Sequence, residues 1–263
     1  MIRYGIVGFG LHAVKRMMPG FRHASRCRVV ALSRRDLRQA EVSARQFQIE
    51  HAFASTADLC ACPDVDAVFI SSPDALHCAD VLTAVQHRKP VLCEKPMAMN
   101  AGGARTMVDA ARKAGVMLGL AHVMRFEESV KLIREHIAAG AIGRPQVARA
   151  DFLAPMLTSA RTWLNDPKLA TGGPLADIGV HCIDTLRFVL GDEVRTVSAG
   201  AHYDSHGPLE ASAAAVLEFE SGALGAVSVS GRCPYRTLLE IAGENGVLSA
   251  LYGLTIELSL IHI

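Results

Sequence analysis

Apolar residues in the first part of the chain come in short runs, each halted by glycine, serine or proline and each followed by residues with helical spacing. Positions 2–7 form such a run, ended by Gly8, and the runs at 27–32, 65–71, 90–93 and 117–121 repeat it. Helical spacing follows Gly10 and recurs over 38–47, 75–87 and 101–114. A continuous apolar run closed by a turn marks a strand buried on both faces, and alternation of such strands with helices predicts an α/β fold with a doubly wound parallel sheet.

Beyond position 121 the texture changes. Residues 127–139 read as one amphipathic helix stopped by Gly140, and 145–153, 194–203, 211–220, 223–231 and 237–242 alternate or carry β-branched residues. Glu220-Ser221-Gly222 is a tight hairpin turn between two of these strands. A largely antiparallel, open sheet is expected, with 175–190 as a helix closed by Gly191. The domains predicted are 1–121, binding a dinucleotide, and 122–263, an α+β domain for substrate and self-association.

Half the residues are hydrophobic and a fifth are charged, so a buried core is easily supplied. A formal net charge of +1 with signs interspersed offers no basic stripe, which excludes nucleic acid as the expected partner. No apolar run reaches membrane-spanning length and no basic leader precedes the first strand, so no membrane partner and a cytoplasmic location are expected. The seven cysteines, an odd number without framework spacing, read as reduced thiols. Cys60 and Cys62 are too close in sequence for a zinc-knuckle pair, so no metal site is predicted.

Candidate chemistry starts where the first strand ends. In Gly8-Phe9-Gly10-Leu11-His12-Ala13, Gly8 permits a tight turn and Gly10 lets backbone approach a pyrophosphate at a helix start. The second strand ends at Ser33-Arg34-Arg35, where an NAD enzyme usually places a carboxylate for the ribose. Forked, permanently charged guanidiniums suit a 2′-phosphate, so NADP is expected over NAD, with Asp36 able to restore NAD use by turning inward.

Lys95, in Cys93-Glu94-Lys95-Pro96, falls at the carboxyl edge of the parallel sheet, where ligands bind in open α/β folds. Pro96 biases it away from helix, and Glu94 is at hand to influence its charge. A glycine-rich approach, Thr171-Gly172-Gly173-Pro174, leads into the helix that carries Asp177 and His181 four residues apart, on one face. A carboxylate beside an imidazole can orient it and raise its basicity, as a general base near neutral pH requires.

These segments together resemble the glucose-fructose oxidoreductase, inositol dehydrogenase and rhizopine-catabolism (Gfo/Idh/MocA) family, from Tyr4 to about Leu251. The resemblance rests on the Gly8-Phe9-Gly10 turn, Ser72-Pro73 followed by His77, Glu94-Lys95-Pro96, Arg125-Phe126, and Gly172-Gly173 through Asp184. It implies an N-terminal Rossmann domain, a second domain whose open sheet makes a dimer or tetramer, and cofactor contacts from the matched positions, Arg125 included. It also implies that His181 takes a substrate hydroxyl proton, Lys95 polarises the oxygen and Asp177 steadies the pair, on a sugar, cyclitol or related polyhydroxylated compound. The serine-arginine tip is similar to the dihydrodiol dehydrogenase-like branch.

The chain departs from the family pattern twice. Trp163 is followed by Leu164 where arginine is common, and the chain stops at Ile263 where members usually continue, so the end is expected to be truncated and the residues after Leu254 foreign to the pattern. Arg125, Asp151, Trp163 and His202 are candidate readers of substrate hydroxyls. The alternative function is a dinucleotide-binding regulator, or a fragment without turnover.

Overall fold

The computed structural model describes residues 1–156 and 160–251, and the backbone of 255–260. It divides into two compact units, Met1–Ala121 with Lys168–Thr171, and His122–Pro167 with Gly172–Ile263.

In the first unit, strands β1 (Ile2–Val7), β2 (Cys27–Ser33), β3 (His51–Phe53), β4 (Ala67–Ile70), β5 (Val91–Cys93) and β6 (Leu118–Leu120) form one sheet in the order β3-β2-β1-β4-β5-β6. Every neighbouring pair is parallel. The apolar runs serve two cores, one on each face. Ile6, Leu32 and Phe69 pack with Phe9, Ala13 and Ala40, whereas Val7, Val30, Val68 and Ile70 pack with Val81 and Met107. A pyrophosphate-type turn after β1 leads through a π-helical turn, Ala13–Met17, into α1 (Met18–His23).

The other helices of this unit are α2 (Leu37–Phe47), α3 (Thr56–Ala61), α4 (Asp74–Gln86) and α5 (Ala101–Ala114). Strand β3 and helix α3 escape sequence reading because neither is long enough to display a period. Ser55 nevertheless caps α3, its hydroxyl accepting the Asp58 amide at 3.1 Å.

In the second unit, α6 (Glu128–Ala138) and α7 (Val180–Leu190) lie against a sheet of β7 (Pro145–Leu153), β8 (Val194–His202), β9 (Ser212–Phe219), β10 (Leu224–Ser230), β11 (Arg236–Gly243), β12 (Gly246–Leu251) and β13 (Thr255–Leu260). The order is β13-β12-β11-β7-β10-β9-β8, antiparallel except for β7 with β10. That parallel pair follows from connectivity, since the chain leaves β7, crosses through α7 and returns through β8 and β9. Alternate residues of β9, Ala213, Ala215, Leu217 and Phe219, join Leu186 and Val189 of α7 in the core. The hairpin turn at Glu220-Ser221-Gly222 connects β9 to β10, with Gly222 at φ +89°.

The expectation of a foreign chain end falls partly on residues 252–254 and 261–263, which lie outside the described residues; between them β13 pairs with β12. Among the described residues no helix is long and apolar enough to cross a membrane.

Candidate active site

The turn after β1 is built around Gly8. Its φ is +74°, and a Cβ there would fall 2.6 Å from the backbone nitrogen and Cα of Ser72, so only glycine fits. Ser71 Oγ donates to the Gly8 carbonyl at 3.1 Å, and the Phe9 amide donates to the Ser33 carbonyl at 2.9 Å, which locks the turn to the ends of β4 and β2. Phe9 is buried edge-on against Phe47, so it anchors the turn from below. Around Gly10 the picture reverses. A Cβ there would meet only the Gly8 carbonyl oxygen, at 3.7 Å, leaving open space of the kind that a phosphate pair needs, with exposed Leu11 beside it.

At the end of β2, Ser33 is buried and Arg34 donates to Ser43 Oγ at 2.9 Å, while Arg35 is exposed. Asp36 does not turn inward. Its carboxylate accepts the Gln39 amide at 3.2 Å and caps α2, so the inward alternative considered from sequence gives way to a helix cap.

His77, which the resemblance makes a cofactor contact, lies in the first turn of α4. It is only 1 % exposed, and its ring nitrogens face the carbonyls of Pro96 at 2.8 Å and Ser72 at 2.9 Å. It therefore ties the Ser72-Pro73 turn to the Lys95-Pro96 turn from beneath. The Ser72 hydroxyl is likewise engaged, donating to Asp80 at 2.6 Å.

Glu94 is buried, and its two oxygens serve His12 Nε2 at 2.9 Å and the Lys95 amide at 3.2 Å. Burial alone would raise its carboxyl, but the hydrogen bond and charge of His12, with Lys95, hold it below the ordinary glutamate value. His12 as its partner was not foreseen from sequence. The Lys95–Pro96 peptide is cis.

In the second unit the glycine-rich approach has a steric cause. A Cβ on Gly173 would overlap the Glu210 carbonyl oxygen, and the Glu210 carboxylate accepts the amides of Gly173 and Leu175 at 2.8 and 3.0 Å. The segment Leu175–Gly179 is then a π-helical turn rather than the first turn of one long α-helix, and α7 begins at Val180. Asp177 lies in the wider turn and His181, four residues on, in the first turn of α7.

Asp177 is buried and accepts from Arg161 Nη2 at 3.2 Å. Leu164, which stands where the family often has arginine, is buried. His181 is buried beside the rings of Phe152 and His122, with centroids at 6.3 and 6.4 Å.

One turn further on, Asp184 accepts from Arg125 Nε and Nη2 at 2.8 and 2.6 Å, and it faces His122 Nδ1 at 3.5 Å. Arg125 also lies over the Phe188 ring, 5.2 Å from its centroid. Its fork is thus turned to Asp184.

A cavity of about 200 Å³ adjoins His181, lined among others by Asp151, Phe152, Thr185, Tyr235 and Leu239. Asp151 is buried and held by Arg149 at 2.8 and 3.2 Å, whereas Thr185 Oγ1 has no hydrogen-bond partner among the described residues. Of the other candidate readers, His202 is exposed on the edge strand β8 and Trp163 lies in a short 3₁₀ turn, Thr162–Asn165.

Comparison with known proteins fits both units. Residues 2–122 match the oxidoreductase family with an NAD-binding Rossmann fold, and residues 130–249 match the GFO/IDH/MocA C-terminal domain. The chain is 37% identical over 229 residues to 1,5-anhydro-D-fructose reductase of Ensifer adhaerens, covering 85% of this chain and 68% of that protein. It is 32% identical over 254 residues to trans-1,2-dihydrobenzene-1,2-diol dehydrogenase of Mus musculus, covering 94% and 73%. Among solved structures, aldose-aldose oxidoreductase from Caulobacter crescentus, complexed with glycerol, superposes with a TM-score of 0.91 at 25% identity, over 98% of this chain and 81% of that one. The glycine turn, the parallel sheet and the helix bearing His181 thus sit within two matched family domains, and the chain belongs to the GFO/IDH/MocA family of oxidoreductases.

Proposed function

We propose that this chain is a dehydrogenase or reductase that interconverts a secondary alcohol and its ketone in a sugar, cyclitol or dihydrodiol, with NADP as the preferred dinucleotide. The observation that carries the reading is His181, buried at the rim of a cavity in the same chain that holds a nucleotide-type turn at Gly8 and Gly10.

The residues fit a nicotinamide dinucleotide: Gly8, Phe9, Gly10 and Leu11 would hold its pyrophosphate, with Ser33, Arg34 and Arg35 at the ribose. When bound, that group supplies the hydride acceptor or donor. The protein's own part is proton handling and orientation. His181 takes the hydroxyl proton in oxidation and returns it in reduction, Asp177 orients the imidazole, and the Lys95 ammonium stabilises charge on the reacting oxygen. Thr185, whose hydroxyl has no partner among the described residues, is suited to a substrate hydroxyl.

The preference for NADP is supported by Asp36, which is occupied as a helix cap and leaves two arginines at the strand tip. Exposed Val147, Val216 and Leu224 on the outer sheet face support self-association as a dimer or tetramer, and the free thiols support a cytoplasmic location.

The test is a spectrophotometric screen of the purified chain with NADP and with NAD against sugars, inositols and dihydrodiols. Turnover is expected to vanish in His181→Ala, and Arg35→Ala should raise KM for NADP about tenfold while leaving KM for NAD unchanged, the loss of one phosphate-paired guanidinium. Nucleotide binding without turnover on any substrate would sink the enzymatic reading.

A further inference from the structure

Three donor side chains that this chemistry does not use meet at the amino-terminal edge of the parallel sheet. His51 opens β3, while Cys62 and Asp64 lie in the turn that follows α3. One ligand atom from each, an imidazole nitrogen, a thiol sulfur and a carboxylate oxygen, lies within 4.8 Å of the other two.

The turn that presents them is held from several sides. Lys89 Nζ donates to the carbonyls of Cys62 at 3.3 Å and Val65 at 2.5 Å, and Arg3 Nη2 donates to the Pro63 carbonyl at 3.1 Å. The Asp64 carboxylate is divided between two partners. Oδ1 accepts Arg3 Nη1 at 2.8 Å, and Oδ2 faces His51 Nε2 at 3.0 Å. An arginine on one oxygen, with the other facing an imidazole, matches the outer-shell support that orients ligating carboxylates.

The geometry points to a binding site for a zinc-class divalent cation formed by His51, Cys62 and Asp64, with water completing four-coordination. A mixed sulfur, nitrogen and oxygen set is what zinc accepts, and bonds of about 2.0–2.3 Å would draw the three donors somewhat closer than they now stand. On binding, the Cys62 thiol gives its proton to solvent and the thiolate and carboxylate balance the ion's two charges. Motif spacing misses the site because its ligands come from a strand start and a loop, with His51 eleven positions before Cys62.

The site is tested by titrating the metal-free chain with Co²⁺. The expected result is a near-ultraviolet thiolate-to-cobalt charge-transfer band at one equivalent, displaced by Zn²⁺. The band should be lost in Cys62→Ser, retained in Cys60→Ser, and should require at least about tenfold more cobalt in His51→Gln, the loss of one of three protein ligands. No band in the parent chain, or a band that survives Cys62→Ser, overturns the site. Should Cys62→Ser fail to fold, His51→Gln decides: a half-exposed side chain whose loss leaves cobalt affinity unchanged is not a ligand.

Discussion

Glu210 accepts the backbone N–H of Gly173 at 2.8 Å, and through its other carboxylate oxygen it also holds the amide of Leu175. A residue just before β9 thereby fixes the start of the turn and helix that carry Asp177 and His181. The donors at the amino end of that helical segment are satisfied by a charged acceptor, which also opposes the helix dipole.

Glu210→Ala is expected to cost about 1–2 kcal/mol of stability, the range for losing a charged cap, and to lower kcat with little change in KM for nucleotide. Gly173→Ala should be the more damaging change, because its methyl overlaps the Glu210 carbonyl oxygen. Urea melts and steady-state kinetics on both variants test this, and a wild-type melt for Glu210→Ala would remove the cap from the argument.

Arg125→Ala should appear in stability and not in nucleotide affinity. The substitution leaves the buried Asp184 carboxylate without its two strongest donors, at a cost of about 1–3 kcal/mol for a buried acceptor that loses a half-exposed guanidinium. Chemical denaturation measures the loss; a large rise in nucleotide Kd with an unchanged melt would restore the direct contact.

The His12–Glu94 pair gives a dependence on pH with a definite sign. In the folded chain Glu94 is held below its ordinary value, so the stabilisation linked to it is present above the unfolded carboxylate range and is lost as pH falls through the folded value. His12→Ala keeps the burial and removes the hydrogen bond. The variant is expected to be less stable than the parent by about 1–2 kcal/mol at pH 7, with the gap closing as pH falls below the ordinary carboxylate range and Glu94 protonates. Thermal melts of both proteins between those limits would show parallel curves if the pair were energetically silent.

Thr185→Val separates stability from recognition at the cavity. Removing a buried hydroxyl with no described partner should raise stability by about 1 kcal/mol, whereas a substrate that uses this hydroxyl should lose affinity and raise its KM severalfold. Equal KM values for parent and variant across the active substrates would take Thr185 out of substrate recognition.

Much of the parallel sheet was legible because its strands are short apolar runs stopped by turns, a signal local to each segment. Gly8 was legible for the same reason: its turn is dictated by residues next to it and by the strand before it. Glu210, His122 and Arg161 were not, since each acts on a residue far along the chain through a contact that no spacing encodes. Asp36 and His77 show how local geometry adds to what residue type suggests: a helix end engages the one and two backbone carbonyls the other. The π-helical turn before α7 was also hidden, because apolar spacing over 175–190 is satisfied equally well by either winding.

The short excursion Lys168–Thr171 belongs with the first unit although the chain on both sides of it belongs to the second. Its Leu169 carbonyl accepts the Ala75 amide at 3.0 Å, and its Thr171 amide donates to the buried Asp74 carboxylate at 3.0 Å. The nucleotide-binding half is therefore not a separable module in the sense of domain grafting. Expressed as residues 1–121, it would keep its whole sheet yet lose the clasp on the amino end of α4, leaving a buried acid without its amide donor.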